Sequence, residues 1–152
     1  MSMSFPSKRD VLKCASAAVE EKISEIKIEI EKINEDAARE TKSSMGDKYE
    51  TGREMIVQEQ RKLTERLSHL LKQKVDLELI EEQGHETIKQ GSLVRTSQGM
   101  FFIATALGPI KIQETQVFVL SKEAPLARQM MGKREGEPIS FNQRNQEVLQ
   151  IW

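Results

Sequence analysis

The sequence predicts an α+β fold, with an N-terminal antiparallel α-helical coiled-coil hairpin followed by a small β-rich domain carrying one short helix. Three observations lead there. Residues 7–83 contain no proline, and their only glycines, Gly46 and Gly52, fall close together in the middle. Apolar residues on either side of those glycines recur at alternating steps of four and three. After Gly84 this spacing stops, and short apolar runs alternate with turn residues. The expected domains are residues 1–83, with a tip at 43–52, and residues 84–152.

The first helix carries Leu12, Val19, Ile23, Ile26, Ile30, Ile33 and Ala37, which from Val19 onward form a heptad seam. The second carries Ile56, Leu63, Leu67, Leu70 and Leu77, with Gln60 and Lys74 at the intervening seam positions. Leu71, Val75, Leu79 and Ile80 predict that this seam broadens toward the base. A turn about Gly46–Asp47 pairs Ala37 with Ile56, Ile33 with Gln60, Ile30 with Leu63, Ile26 with Leu67 and Ile23 with Leu70. One turn position registers every pair. Arms of about 35 residues, at a rise of about 1.5 Å per residue, give a hairpin of ~50 Å. A seam satisfied inside one chain predicts a monomer.

Composition narrows the function classes. Charged residues make up 31% and the formal net charge is −1, so no basic field marks an independent sequence-specific DNA binder. The single cysteine, Cys14, has no partner for an intramolecular disulfide and suits a reducing compartment. No stretch approaches the ~20 apolar residues that span a bilayer, and the first residues lack a signal-peptide pattern. The expectation is a cytoplasmic protein with no membrane partner.

The tip reads Ser43-Ser44-Met45-Gly46-Asp47-Lys48-Tyr49-Glu50-Thr51-Gly52. Asp47 and Glu50 are three apart and share a helix face. Two carboxylate groups offer hard oxygen ligands to Mg²⁺ but are too few to hold it alone, which points to a metal shared with another protein's ligands. The same spacing is a capping box, as is Ser44-x-x-Asp47, and both roles stay open. Lys42, Lys48 and Arg53 could meet RNA phosphate, but surface charges in this mixed pattern are more often plain solvation.

In the second half, residues 92–96 and 100–106 predict a strand pair about a turn at 97–99. Leu107-Gly108-Pro109 is expected to break the chain. Lys111 to Ser121 holds one or two more strands, with Val117-Phe118-Val119-Leu120 buried. Pro125 starts a short helix that Gly132 ends, and 138–141 and 147–152 close the sheet. Phe101, Phe118, Phe141 and Trp152 are the expected aromatic core. His69 and His85 read as ordinary surface groups. With no nucleophile, phosphate-loop or metal-cluster motif, the chain is not expected to be an enzyme.

The order of parts resembles the Gre transcript-cleavage factors (GreA/GreB type). Ala124-Pro125-Leu126-Ala127-Arg128-Gln129-Met130-Met131-Gly132-Lys133-Arg134-Glu135-Gly136-Glu137 is similar to that family's Ser-Pro-Leu-Ala-Arg-Ala-Leu-Leu-Gly-Lys-x-x-Gly-Asp stretch. Gly46-Asp47-Lys48-Tyr49-Glu50 resembles its tip motif, Gly-Asp-Leu-x-Glu-Asn. The resemblance implies an FKBP-like C-terminal domain that docks at the mouth of the RNA polymerase secondary channel, with Glu123 and Pro125 in the docking segment. It implies that the hairpin enters the channel and that Asp47 and Glu50 help hold the catalytic Mg²⁺ against the nascent RNA 3′ end. The polymerase active site then cuts the RNA, and the factor needs no cofactor in isolation.

Departures from the pattern are Tyr49, Thr51-Gly52 and Ala124. They leave a second role open, a channel-occupying regulator without cleavage. Two readings of another class are an FKBP-like folding helper, which would want an aromatic-lined pocket, and a coiled-coil adaptor, which would dimerise.

Overall fold

In the computed structural model, the backbone is described for residues 4–42 and 47–152, and side chains within the helices for all but 40–51. Two helices come first, α1 (Lys8–Lys42) and α2 (Asp47–Glu78). Six strands follow, β1 (Leu93–Thr96), β2 (Gly99–Ile103), β3 (Gly108–Ile112), β4 (Thr115–Leu120), β5 (Pro138–Phe141) and β6 (Arg144–Ile151), with a short helix α3 (Pro125–Met130) between β4 and β5. The fold is α+β, as the sequence predicts. α2 ends at Glu78, and by compactness Met1–Ala18 groups with Gln73–Trp152 while Val19–Lys72 forms a second unit.

In the Val19–Lys72 unit the heptad stripe is buried. Val19, Ile23 and Ile26 of α1 and Leu63 of α2 are shielded from water, and Ile30, Ile33, Ile56, Leu67 and Leu70 are half-buried. Gln60 Nε2 donates to Asn34 Oδ1 at 2.9 Å. That bond lies within one residue of the expected Ile33–Gln60 pair and so reports the expected register. The polar seam position is thus satisfied by a neighbour on the facing helix.

The larger unit holds one sheet in the order β3-β4-β2-β1-β6-β5. The β2–β4 pair is parallel and the other four are antiparallel, with a bulge on the β1–β6 ladder at Arg95/Thr96. Val94, Phe101, Ile103, Val148 and Ile151 form one buried cluster with Ile88, Ile139 and the α3 residues Ala127 and Met130. By register Leu93, Met100, Phe102, Val117 and Val119 take the opposite face, and all are buried. A strand covered on both sides reads as a continuous apolar run, which is the case for Met100–Ile103.

Hydrogen bonds tie the helix ends to this unit. Ser7 Oγ accepts the Asp10 N–H at 3.1 Å and caps α1. Lys8, nearly buried, donates its ammonium to the Gln83 carbonyl at 2.7 Å. Gln73 Nε2 donates to the Ala106 carbonyl at 2.9 Å.

Three expectations are corrected. The α2 seam does not broaden through Leu71, Val75 and Leu79, which are exposed; Gln73 and Leu77 are buried in their place. Gln73 tolerates burial because the Ala106 carbonyl takes its amide proton. Leu107-Gly108-Pro109 is no break, since β3 begins at Gly108. It is an edge strand, where a proline without an N–H is admissible. Of the four expected core aromatics only Phe101 is buried. Phe118 is 36% exposed, and Phe141 and Trp152 are half-buried. Strand alternation turns Val117 and Val119 inward and leaves Phe118 on the other face, its ring centroid 5.8 Å from that of Phe101. Phe102, fully buried, is the large aromatic that the sequence expectation omits.

Candidate functional sites

The two predicted sites lie in separate compact units. In the Val19–Lys72 unit, α2 begins at Asp47, so Asp47 and Glu50 both fall in its first turn. The side chains of Asp47, Lys48, Tyr49 and Glu50 lie outside the described residues, as does the whole of residues 43–46. What the backbone supplies is a helix N-terminus, whose unpaired N–H groups favour carboxylates in that turn. Beyond it Arg53, Met55, Val57 and Arg61 are exposed along α2. Among the described residues no group of three or more His, Cys, Asp and Glu is placed to hold a metal.

The second site surrounds the start of α3. Ser121 organises the approach: its carbonyl accepts the Ala124 N–H at 3.0 Å and its hydroxyl accepts the Glu123 N–H at 3.2 Å. Glu123 is exposed at the crest of this turn. Ala124 is the N-cap, extended at φ −60 and ψ 143, and supplies no side-chain cap. Pro125 follows at the first helical position, where its fixed φ suits the helix and its missing N–H costs nothing. Ala124 and Leu126 rest against the apolar cluster, so Glu123, Pro125 and Arg128 are left on the exposed side.

The rest of the motif, from Gly132 to Glu137, is a set of backbone ties. The Gly132 N–H donates to the Ile88 carbonyl at 2.8 Å, and the Ile88 N–H to the Lys133 carbonyl at 2.9 Å. Glu137 Oε1 accepts the Arg134 N–H at 3.0 Å, and Glu135 Oε1 accepts the Ile151 N–H at 3.1 Å. Gly136 N–H reaches the Val148 carbonyl at 2.8 Å. This half of the motif therefore builds the domain by locking the end of α3 to the closing strand. Sequence reasoning missed Glu135 and Glu137 in this role, although acids flanking the second glycine were the signal.

His85 is also more than a surface group. Its Nδ1 lies 2.6 Å from Ser92 Oγ, and Ser92 is fully buried. Ser92 Oγ also accepts the Lys89 N–H at 2.9 Å, which ties the histidine, the serine and the 89–92 backbone together. Burial pushes the His85 pKa down, Lys8 and Lys89 push it the same way, and Glu81 opposes them. Burial likewise lowers the Lys8 ammonium, followed by Lys89, with Glu81 again opposing. No helix among the described residues is long and apolar enough to cross a membrane.

No family model matches the chain, and no curated protein does. Among solved structures, the transcription factor Gfh1 aligns over 91% of this chain and 94% of its own, at 17% identity and a TM-score of 0.41. A structure of GreA factor homolog 1 (Gfh1) of Thermus thermophilus aligns over 92% and 96%, at 18% identity and a TM-score of 0.39. Likenesses this distant carry no functional assignment.

Proposed function

We propose that this chain is a bacterial transcription elongation factor that binds RNA polymerase through its secondary channel. In this reading it is a cytoplasmic, monomeric accessory protein and not an enzyme. The carrying observation is that α2 starts at Asp47, so the two acids of the tip motif occupy its first turn. The Glu123–Glu137 segment supports it independently, because its first half leaves Glu123 and Pro125 exposed while its second half is consumed in building the domain.

The mechanism follows from charge and reach. Two carboxylate groups on a helix end bring oxygen ligands to a site where the polymerase supplies the remainder. Asp47 and Glu50 would help hold a shared Mg²⁺, which would supply Lewis-acid activation of water at the backtracked RNA 3′ end. The FKBP-like β domain docks through Glu123 and Pro125 and sets the depth of insertion. Held alone, the tip has too few ligands for tight metal binding.

A second reading keeps the binding and drops the cleavage. It is favoured by Tyr49, Thr51 and Gly52 at the tip and by Ala124 in place of the family's serine, which leaves α3 without a side-chain cap. RNA cleavage in a backtracked elongation complex of the source organism's polymerase distinguishes the two, comparing wild type with Asp47→Asn/Glu50→Gln. The proposal expects faster cleavage by wild type, lost in the double variant while polymerase binding persists. Binding without any acceleration moves the assignment to the non-cleaving regulator, and absence of binding refutes both.

A further inference from the structure

Beyond the end of β1, the β1–β2 turn and the β5–β6 turn border an open hollow of about 400 Å³, lined by Gln98, Phe141, Asn142, Arg144 and Gln146. None of these residues belongs to the two sites above. Phe141 and Arg144 are register partners in the β5–β6 hairpin, as are Ile139 and Gln146, which puts Phe141, Arg144 and Gln146 on one face. The hairpin closes through Asn142 and Gln143, both left-handed at φ 51 and φ 63, a two-residue turn that fits the twist of the strands.

Gln146 is the informative member. It is only 9% exposed, and its Oε1 accepts the Thr96 hydroxyl proton. Thr96 Oγ1 in turn accepts the Gln98 N–H at 3.1 Å and lies 3.3 Å from the Gly99 carbonyl, the more distant of the two acceptors open to its proton. The Gln146 Nε2 is left without a hydrogen-bond partner among the described residues. The lining is therefore one guanidinium, three carboxamides and an aromatic ring, with no carboxylate.

We infer that this hollow is an acceptor site for the carboxylate of a glutamate or aspartate carried on an extended acidic segment of a partner protein. Arg144 pairs with the carboxylate, the Gln146 amide donates beside it, and the side-chain amides of Gln98 and Asn142 serve the flanking peptide groups. Phe141 covers the methylene stem. A nucleic-acid strand suits the hollow less well, because phosphodiester binding draws on several Lys and Arg and this lining has one cation.

The test uses the full chain and ¹H–¹⁵N spectra. The probes are a capped glycine-flanked single-glutamate tetrapeptide, its glutamine analogue and a thymidine dinucleotide. The expected result is saturable shifts of the Gln98, Asn142 and Gln146 side-chain amides with the glutamate peptide. Binding of the glutamine analogue should be roughly three- to fivefold weaker, the scale of one exposed ion pair. Arg144→Gln, at an exposed position, should weaken the glutamate peptide by the same factor and leave core resonances unmoved. Thr96→Val should release the Gln146 amide and broaden its signal. Equal affinity for the two peptides, no saturation in the millimolar range, or saturation by the dinucleotide alone would overturn the inference.

Discussion

Phe102 and Phe118 make the sharpest test of the packing. Both are phenylalanines in central strands, and an apolar-run reading of the sequence favours Phe118. Phe102 is fully buried in β2, so Phe102→Ala removes a whole ring from a site closed on all sides and should cost about 3–5 kcal/mol. Phe118 is 36% exposed and retains only part of the burial term, with one ring contact to Phe101 at 5.8 Å. Burial of that part together with the ring pair comes to about 1–2 kcal/mol. The gap is then about 2 kcal/mol, which at a urea slope of about 1–3 kcal/mol per molar separates the two midpoints by about 1 M. Trp152 is the natural probe, because it is the only tryptophan and its backbone N–H donates to the Leu93 carbonyl of β1 at 2.8 Å. If Phe102→Ala cannot be recovered, Phe102→Leu against Phe118→Leu preserves the order at smaller amplitude. A Phe118 variant as damaging as its Phe102 counterpart would refute the two-faced packing of β2.

The remaining predictions are smaller in scale. His85 has its folded pKa lowered, so as pH falls past its ordinary value of 6.5 the unfolded chain takes the proton first. Stability should be full above that value and decline below it, and His85→Asn should flatten this part of a melting-temperature profile between about pH 5 and pH 8; an unchanged slope would exclude the histidine. Gly91 and Gly136 have the same backbone, φ +91 and φ +88, but a Cβ at Gly91 would meet Ile80 Cγ2 at 3.3 Å while Gly136 has open space. Gly136→Ala should cost about 1–2 kcal/mol and Gly91→Ala measurably more, with part of the excess relieved in the Ile80→Ala background, which removes Cγ2; equal costs would count against the close approach. In the helical unit, a double-mutant cycle of Asn34→Ala with Gln60→Ala should return a coupling of about 0.5–1 kcal/mol, and zero coupling would contradict the register. Pro125→Ala should leave the melting temperature within about 2 °C of wild type, since the residue is exposed, yet weaken polymerase binding; unchanged affinity would remove it from the docking surface.

How much was legible in the sequence follows from the range of the forces involved. The two long helices and the Pro125 start of α3 depend on neighbours three or four residues away, and the spacing of Ile23, Ile26, Leu63 and their like displays that order directly. The seam register was legible for the same reason, and the Asn34–Gln60 bond lies within one residue of the expected Ile33–Gln60 pair. Which apolar residue is buried in the sheet depends on strands far apart in sequence. Only the β2–β4 parallel pairing and the edge position of β3 decide that Phe102 is enclosed, that Phe118 is half outside and that Pro109 is allowed in a strand. The polar ties were equally out of reach. Gln73 is buried because a carbonyl of the β2–β3 connection meets it, and the His85 pKa is lowered because burial, then Lys8 and Lys89, disfavour its charged form. The chain alone determined its elements and the residues offered for function; long-range hydrogen-bond geometry decided which of those residues became structure and which stayed at the surface.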